Sequence, residues 1–284
     1  MKIIDAHIHF SKSSALAQAA LYSSGVDYSR KGYVQEAEAC QVVHSVCMGL
    51  AQSEVLGNIA DPAQENPMLV DLDEDLPPSI SICMGINPYT LHKEGLDRME
   101  RIIQSRSDIA GIKIYAGYYH VLVTDPLYAP AYDLAEKHNL TVAIHSGDTY
   151  AESGLLKYSQ PLEVDQLAVE RRNINFLICH IGTPWIFDAA EVAFKNRNVF
   201  LDISGLLVGD RAYAERMGAA ELLVDRYRSA LVYLDTYEKI LYGSDWPLVP
   251  MAPYIDFCKK LIPPEFHEQV FYQNALELYR IKEK

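Results

Sequence analysis

The sequence predicts an α/β protein, a (β/α)8 barrel in a single domain over residues 1–284, and three observations carry that prediction. Short β-branched and apolar runs occur eight times, at residues 3–10, 41–48, 80–87, 111–115, 141–145, 175–180, 199–204 and 240–245. Their starts lie 24 to 41 residues apart, room for a strand, a loop and a helix. Strands so spaced cannot be hairpins and need helical crossovers, which implies parallel pairing. The chain of 284 residues also has no low-complexity linker to divide it, a length that suits one barrel with insertions. A doubly wound open sheet competes, but it usually has fewer strands, and no GxGxxG follows an early strand here.

Several segments between the runs read as helices. Leu96, Met99, Ile102 and Ile103 form an apolar stripe at helical spacing. Asp125 followed by Pro126 reads as an N-cap with proline in the first turn, ahead of Leu127, Ala131, Leu134 and Ala135. Thr183–Pro184 repeats the pattern ahead of Ile186, Ala189, Ala190 and Ala193.

Composition narrows the function. The chain holds 25 Lys and Arg against 38 Asp and Glu, a net charge of −13, which disfavours nucleic acid as a partner. With 49% hydrophobic and 22% charged residues it can build a large core, and no apolar stretch reaches the ~20 residues of a membrane span. The start, MKIIDAHIHF, does not read as a signal peptide because Asp5, His7 and His9 interrupt its apolar run. Cys40, Cys47, Cys83, Cys179 and Cys258 are odd in number and lack a CxxC pair, so reduced thiols of a cytoplasmic protein are expected.

Barrel chemistry gathers where strands end, at the C-terminal face. The first run ends in His7-Ile8-His9, whose alternate residues share one side. By the same parity Asp5 is expected to point inward, deeper, orienting a ligand or filling the core. The fifth run ends at His145, the sixth at His180 and the eighth at Asp245. One histidine at a strand end is commonly structural. Four of the nine histidines and a carboxylate at such ends fit the N/O donor set of a catalytic divalent ion.

In order, DAHIHF, GIKIY, AIHSGD, ICHIG, YGSDWP and the terminal NALELY (Asn274 to Tyr279) resemble the amidohydrolase superfamily in its amidohydrolase 2 branch, from the first strand to the last helix. That branch includes lactone hydrolases and non-oxidative decarboxylases of aromatic and muconate-type acids. The resemblance implies a distorted barrel with His7, His9, His145 and Asp245 as metal ligands. It implies that His180 transfers a proton or, in a binuclear site, binds a second metal, and that Asp245 also accepts a proton from water. One divalent ion is expected, Zn2+ first, with Mn2+, Fe2+ or Co2+ as substitutes. Neutral imidazoles leave such an ion positive, lowering the pKa of its water toward ~7.

Lys113 stands where some branches carry a carbamylated lysine between two metals. The expectation is an unmodified site residue that binds substrate or pairs with an acid. Tyr115, Tyr118 and Tyr119, with His120, follow the fourth run, and Tyr115 and Tyr118 are candidates for a flat substrate wall. Trp246 is expected to shape the pocket. Arg211, with Arg216 a lesser candidate, lies in the 205–219 loop and could bind a substrate carboxylate, or pair with Asp210 and Glu215. Loops 11–29 and 148–160 are expected to complete the rim.

The leading expectation is a metal-dependent hydrolase of an ester, lactone or amide bond in a small molecule, using metal-activated water. Non-oxidative decarboxylation is the alternative, and a non-catalytic binding protein with a relic site is a remote third. A free nucleobase or a phosphotriester stays open as substrate. Dimers are frequent in the branch, so a homodimer is among the expectations.

Overall fold

The computed structural model describes residues 1–10, 14–49, 77 and 79–282. The strands are β1 (Ile3–Ile8), β2 (Val42–Met48), β3 (Ile80–Ile86), β4 (Ile109–Ile114), β5 (Thr141–Ile144), β6 (Phe176–Ile178), β7 (Val199–Asp202) and β8 (Ile240–Leu241). They form one parallel sheet in sequential order. β8 returns to β1 through Ala6 N–H to Tyr242 O (2.9 Å), Asp245 N–H to His7 O (2.8 Å) and His9 N–H to Trp246 O (2.6 Å). The result is the nearly closed (β/α)8 barrel that the spacing predicts.

The helices are α1 (Ser14–Ala19), α2 (Arg30–Ala39), α3 (Lys93–Ser105), α4 (Ala129–His138), α5 (Leu162–Glu170), α6 (Ile186–Lys195), α7 (Arg211–Gly218), α8 (Glu221–Leu234), α9 (Met251–Leu261) and α10 (Asn274–Leu278). Among the described residues no helix is long and apolar enough to cross a membrane. Residues 11–13 of the expected rim loop lie outside the described residues; the loop then continues into α1, and residues 156–158 of the other rim loop form a short 3-10 turn.

Two apolar layers hold the barrel. Inside, Ile4 and Ala6 of β1 pack with Val46, Met48, Cys83, Ala143, Leu177, Cys179 and Leu241, closed below by Leu278 and Tyr279. Outside, Ile3 and Ile8 join the helices, including Tyr33 of α2 and Cys258 of α9. Asn274, from the NALELY segment, donates its amide to Tyr237 O (2.6 Å) and Ile240 O (2.7 Å), tying α10 to the start of β8.

Three local expectations change. Asp125 does accept from Leu127 N (2.9 Å), but the turn it caps is 3-10, and Leu127 is exposed while Ala131, Leu134 and Ala135 are buried. Thr183 is no N-cap, because α6 starts at Ile186, after Trp185; its stripe Ile186, Ala189, Ala190 and Ala193 is buried as expected. Asp5 leaves the inward set but still orients the site's backbone, its Oδ1 accepting from His7 N (3.2 Å) and Ser244 N (2.8 Å). The β1–β2 pairing shifts register between Asp5 and Ile8, and Asp5 faces the helix layer, close enough to Tyr33 and Cys258 to act on both. A shift of one residue moves side chains to the other face. All five cysteines are free, four of them buried.

Candidate metal centre

Four histidines and Asp245 converge at the C-terminal end of the barrel, all buried. The imidazole centroids of His7 and His9 lie 5.3 Å apart, those of His7 and His180 4.8 Å, and those of His145 and His180 4.9 Å. His7 Nε2 is 3.4 Å from Asp245 Oδ1, and His9 Nε2 is 3.1 Å from the same oxygen. These three residues bring one donor atom each within 4.8 Å of one another. His145 stands outside that trio and joins it through His180, whose Nε2 lies 3.1 Å from His145 Nδ1.

The outer ring nitrogens face acceptors. His7 Nδ1 meets Asp202 Oδ2 at 2.9 Å, His9 Nδ1 meets Met48 O at 3.2 Å, and His145 Nε2 meets Asp148 O at 2.8 Å. His180 Nδ1 lies 3.1 Å from Ser204 O and 2.9 Å from Ser204 Oγ. A carbonyl or carboxylate oxygen only accepts, so these contacts assign the proton of each neutral imidazole to its outer nitrogen. In His7 and His145, which burial keeps neutral, the unprotonated nitrogens Nε2 and Nδ1 therefore turn inward.

Two of the inward atoms, His7 Nε2 and Asp245 Oδ1, are sealed from water and have no hydrogen-bond partner among the described residues. Lone pairs facing each other in a dry site repel; a cation placed among them turns the repulsion into coordination. The donor set, imidazole nitrogen with one carboxylate, fits Zn2+ or a similar divalent ion.

The electrostatics agree with that reading. Burial, reinforced by Lys113 and opposed by Asp202, lowers the pKa of His7 to about 3, so its contact with Asp202 is a hydrogen bond from a neutral ring. Burial, with His180 and Lys113 nearby, also holds His145 well below the usual histidine range. Burial resists ionisation of Asp245 and Asp202, yet neighbouring histidines keep both carboxyls below the ordinary range.

Backbone conformation places two of these groups. His180 (φ 58°), Ile181 (φ 45°) and Asp245 (φ 65°) adopt left-handed conformations that side chains seldom take. Gly205, at φ 63°, makes room: a Cβ there would stand 2.7 Å from His180 Nδ1 and 2.8 Å from Asp245 Oδ2.

The other expected site residues divide. Lys113 is wholly buried, 3.0 Å from Cys179 Sγ and 5.4 Å from the Tyr115 ring centre, and no carboxylate pairs with it among the described residues. His7, Cys179 and Asp202 also bring donor atoms together. That group is a poor second cation site, because Lys113 occupies the thiol and His7 Nδ1 already bonds Asp202.

Tyr118 packs edge-on against His145, with ring centres 5.0 Å apart, and its hydroxyl accepts from Tyr150 N (2.8 Å). Tyr115 and Tyr119 are buried with Leu16 and Ala19 of α1 and Leu248, while His120 is exposed. Trp246 is fully buried, stacked on Phe10, and its Nε1–H donates to Glu36 Oε2 (3.0 Å). Glu36 also receives Met251 N–H (2.6 Å), so it pins the segment after β8 that begins with Asp245.

Arg211 is not brought to the histidines. Its side chain is 61% exposed, lies 3.3 Å from Glu215, and lines a recess of ≈ 560 Å³ shared with Asp27, Glu36 and Asp210. Arg216 is exposed and lies over the Tyr213 ring. Both arginines belong to α7, a surface helix capped by Asp210.

Asp202, Ser204 and Glu36 were missed in sequence. Asp202 and Ser204 end the seventh run, where the strand-end rule could have found them; Glu36 sits on a helix and carries no such signal.

Comparison with known proteins agrees with the fold. No curated protein matches the chain. Its fold is similar to a probable 2-pyrone-4,6-dicarboxylic acid hydrolase from Acinetobacter baumannii (17% identity, 99% of this chain and 100% of that one, TM-score 0.68). It is similar also to the 5-carboxyvanillate decarboxylase of Sphingomonas paucimobilis (15%, 99% and 99%, 0.64). A third similar structure is an amidohydrolase from Burkholderia multivorans with bound zinc (16%, 99% and 100%, 0.66). The sequence profile of the amidohydrolase 2 family, described as amidohydrolase, matches residues 4–281, and with nearly the whole chain inside that match this protein belongs to the family, whose enzymes are metal-dependent hydrolases and decarboxylases.

Proposed function

We propose that this chain is a metal-dependent hydrolase of an ester, lactone or amide bond in a small organic molecule. The observation that carries the reading is the convergence of His7 Nε2, His9 Nε2 and Asp245 Oδ1, of which His7 Nε2 and Asp245 Oδ1 have no hydrogen-bond partner among the described residues. His7, His9 and Asp245 would hold one divalent ion, Zn2+ first, with His145 as the fourth ligand. When bound, the ion supplies Lewis acidity and activates water at neutral pH.

The chain's own groups do the rest. Asp245, kept ionised, accepts the proton of the attacking water through its carboxylate. His180, beside His145 and His7, would take up at Nε2 the proton that Asp245 receives from the water, and only then donate it to the substrate oxygen that becomes negative or to the leaving group. Tyr118, packed on His145, offers a flat wall for a planar substrate, and the apolar cluster of Leu16, Ala19, Tyr115, Tyr119 and Leu248 limits water access. Lys113 remains unmodified beneath the site. Trp246 shapes the wall from behind.

The second reading is decarboxylation of an aromatic or muconate-type acid. The same flat wall favours a planar acid, and a similar fold serves the 5-carboxyvanillate decarboxylase. Product analysis on panels of lactones, esters, amides and aromatic acids in H2 18O separates the two. Label in the product without CO2 supports hydrolysis. Release of CO2 without label establishes the alternative, and turnover of nothing by the zinc-loaded chain counts against both.

A further inference from the structure

We propose that Asp202 is a positioning residue which fixes the tautomer of His7 and the backbone of His180, so that one carboxylate on β7 aims imidazoles from β1 and β6 at the ion. The inference rests on the metal-site reading above and deepens it.

Asp202 is wholly buried, and donors engage both of its oxygens. Oδ2 lies 2.9 Å from His7 Nδ1. Oδ1 accepts from His180 N (2.8 Å), from Ser204 N (3.1 Å) and from the Ser204 hydroxyl. An ionised carboxylate has about four lone-pair positions and no proton to give. His7 must therefore donate from Nδ1, which leaves Nε2 bare on the side of Asp245.

The second line runs through Ser204. Because its hydroxyl donates to Asp202, its oxygen can only accept from His180 Nδ1, 2.9 Å away. That turns Nε2 of His180 toward His145. The His180 N–H bond to Asp202 also falls at the left-handed turn of His180 and Ile181, a strained conformation that persists only where neighbouring groups over-determine it. An apolar side chain could fill the same volume, but it would set no proton.

Asp202→Asn separates positioning from packing. The amide keeps the shape, and its oxygen can still serve His180 and Ser204. Its NH2 then confronts His7 Nδ1, donor against donor, and drives the His7 proton to Nε2, into the ion's place. In the chelated, ion-free protein the imidazole 15N spectrum of His7 is expected to change from the Nδ1–H to the Nε2–H pattern. Zn2+ affinity, measured by competition with a chromophoric chelator, is expected to fall about 10- to 100-fold. Ser204→Ala, which removes the 3.0 Å contact of Ser204 Oγ with His7 Nδ1 but keeps the Asp202 bond to that nitrogen, is expected to keep the Nδ1–H pattern and to hold Zn2+ within about threefold of the parent.

An Asp202→Asn variant with the parental His7 pattern and parental Zn2+ affinity would overturn the assignment. If that variant does not fold, the parent decides: a ring proton on His7 Nε2 in the ion-free parent overturns it as well. A parent that takes up no Zn2+ yet keeps the His7 proton on Nδ1 supports the role of Asp202 and counts against the functional reading alone.

Discussion

His7 on β1 and Lys113 on β4 are both wholly buried in one barrel, yet their surroundings differ in kind. The outer nitrogen of His7 is tied to Asp202, and the same holds around the mouth: His9 to Met48 O, His145 to Asp148 O, His180 to Ser204. Lys113 has a thiol at 3.0 Å and an aromatic ring at 5.4 Å, and no carboxylate pairs with it among the described residues. Burial is common to both regions. What separates them is that oxygen acceptors set the proton direction in one, so that lone pairs gather at a point, whereas the amine of the other meets a thiol sulfur.

The comparison is broken most severely by removing an inward donor. His9→Ala is expected to abolish turnover, by about 10³-fold or more, because the ion loses a ligand and Asp245 a neighbour. An activity assay on the zinc-loaded variant checks this, and near-parental rates would remove His9 from the site. Gly205→Ala adds a methyl group 2.7 Å from His180 Nδ1 at a left-handed position. A displacement of that size is expected to cost about 10²-fold in kcat with the Tm only modestly lower.

Next in size is a pH effect on the other face of β1. Burial raises the pKa of Asp5 from 3.8 to about 7, while that of His7 falls from 6.5 to about 3. The folded state keeps the Asp5 proton longer than the unfolded state does, so this group makes stability fall as pH rises from about 4 to 7. His7 acts oppositely: the unfolded state binds its proton first, so stability is complete above pH 6.5 and is lost toward pH 3. In Asp5→Asn the slopes of His7 and His145 remain, and both have the same sign. Denaturant unfolding in the presence of chelator should show stability rising with pH between 4 and 6.5. It should also show a gain at pH 8 of roughly 2 kcal/mol, the relief of a buried charge less the cost of an unpartnered amide. A flat or falling profile in the variant would contradict the assignment of Asp5 to the dry helix layer.

Lys113→Met sharpens the comparison from the other side. It replaces a buried amine by an apolar chain of similar length, so ion content is expected to be unchanged and the Tm equal or higher. Loss of half of two bound ions would instead show a carbamylated, bridging lysine. The smallest effect belongs to the rim: Arg211→Ala, which breaks an exposed contact with Glu215, should change stability by less than about 0.5 kcal/mol and leave KM unaltered.

Much of this was legible in the sequence. The eight apolar runs became the eight strands, because parallel strands buried on both faces need continuous β-branched segments. The histidines at strand ends fell at one mouth for the same topological reason. Asp5 was misplaced because alternation holds only in a regular strand, and β1 shifts register before His7. Leu127 matched the helical stripe but sits in a 3-10 turn, which rotates it to the surface. Of the two roles open to Arg211 in sequence, the structure has the pairing with Glu215, made on a capped surface helix where the sequence suggests a loop. Asp202 was legible in principle, as an acid at the end of the seventh run. Met48 O and Asp148 O were not, since backbone acceptors leave no trace in residue type.

The central claim is that the inward lone pairs hold one divalent ion. Elemental analysis of untagged protein, beside His145→Ala, tests it most directly. The account predicts about one ion per chain, Zn2+ first, and its loss or strong depletion in the variant. A parent that carries no divalent ion, even after reconstitution with Zn2+, Mn2+, Fe2+ and Co2+, would contradict it.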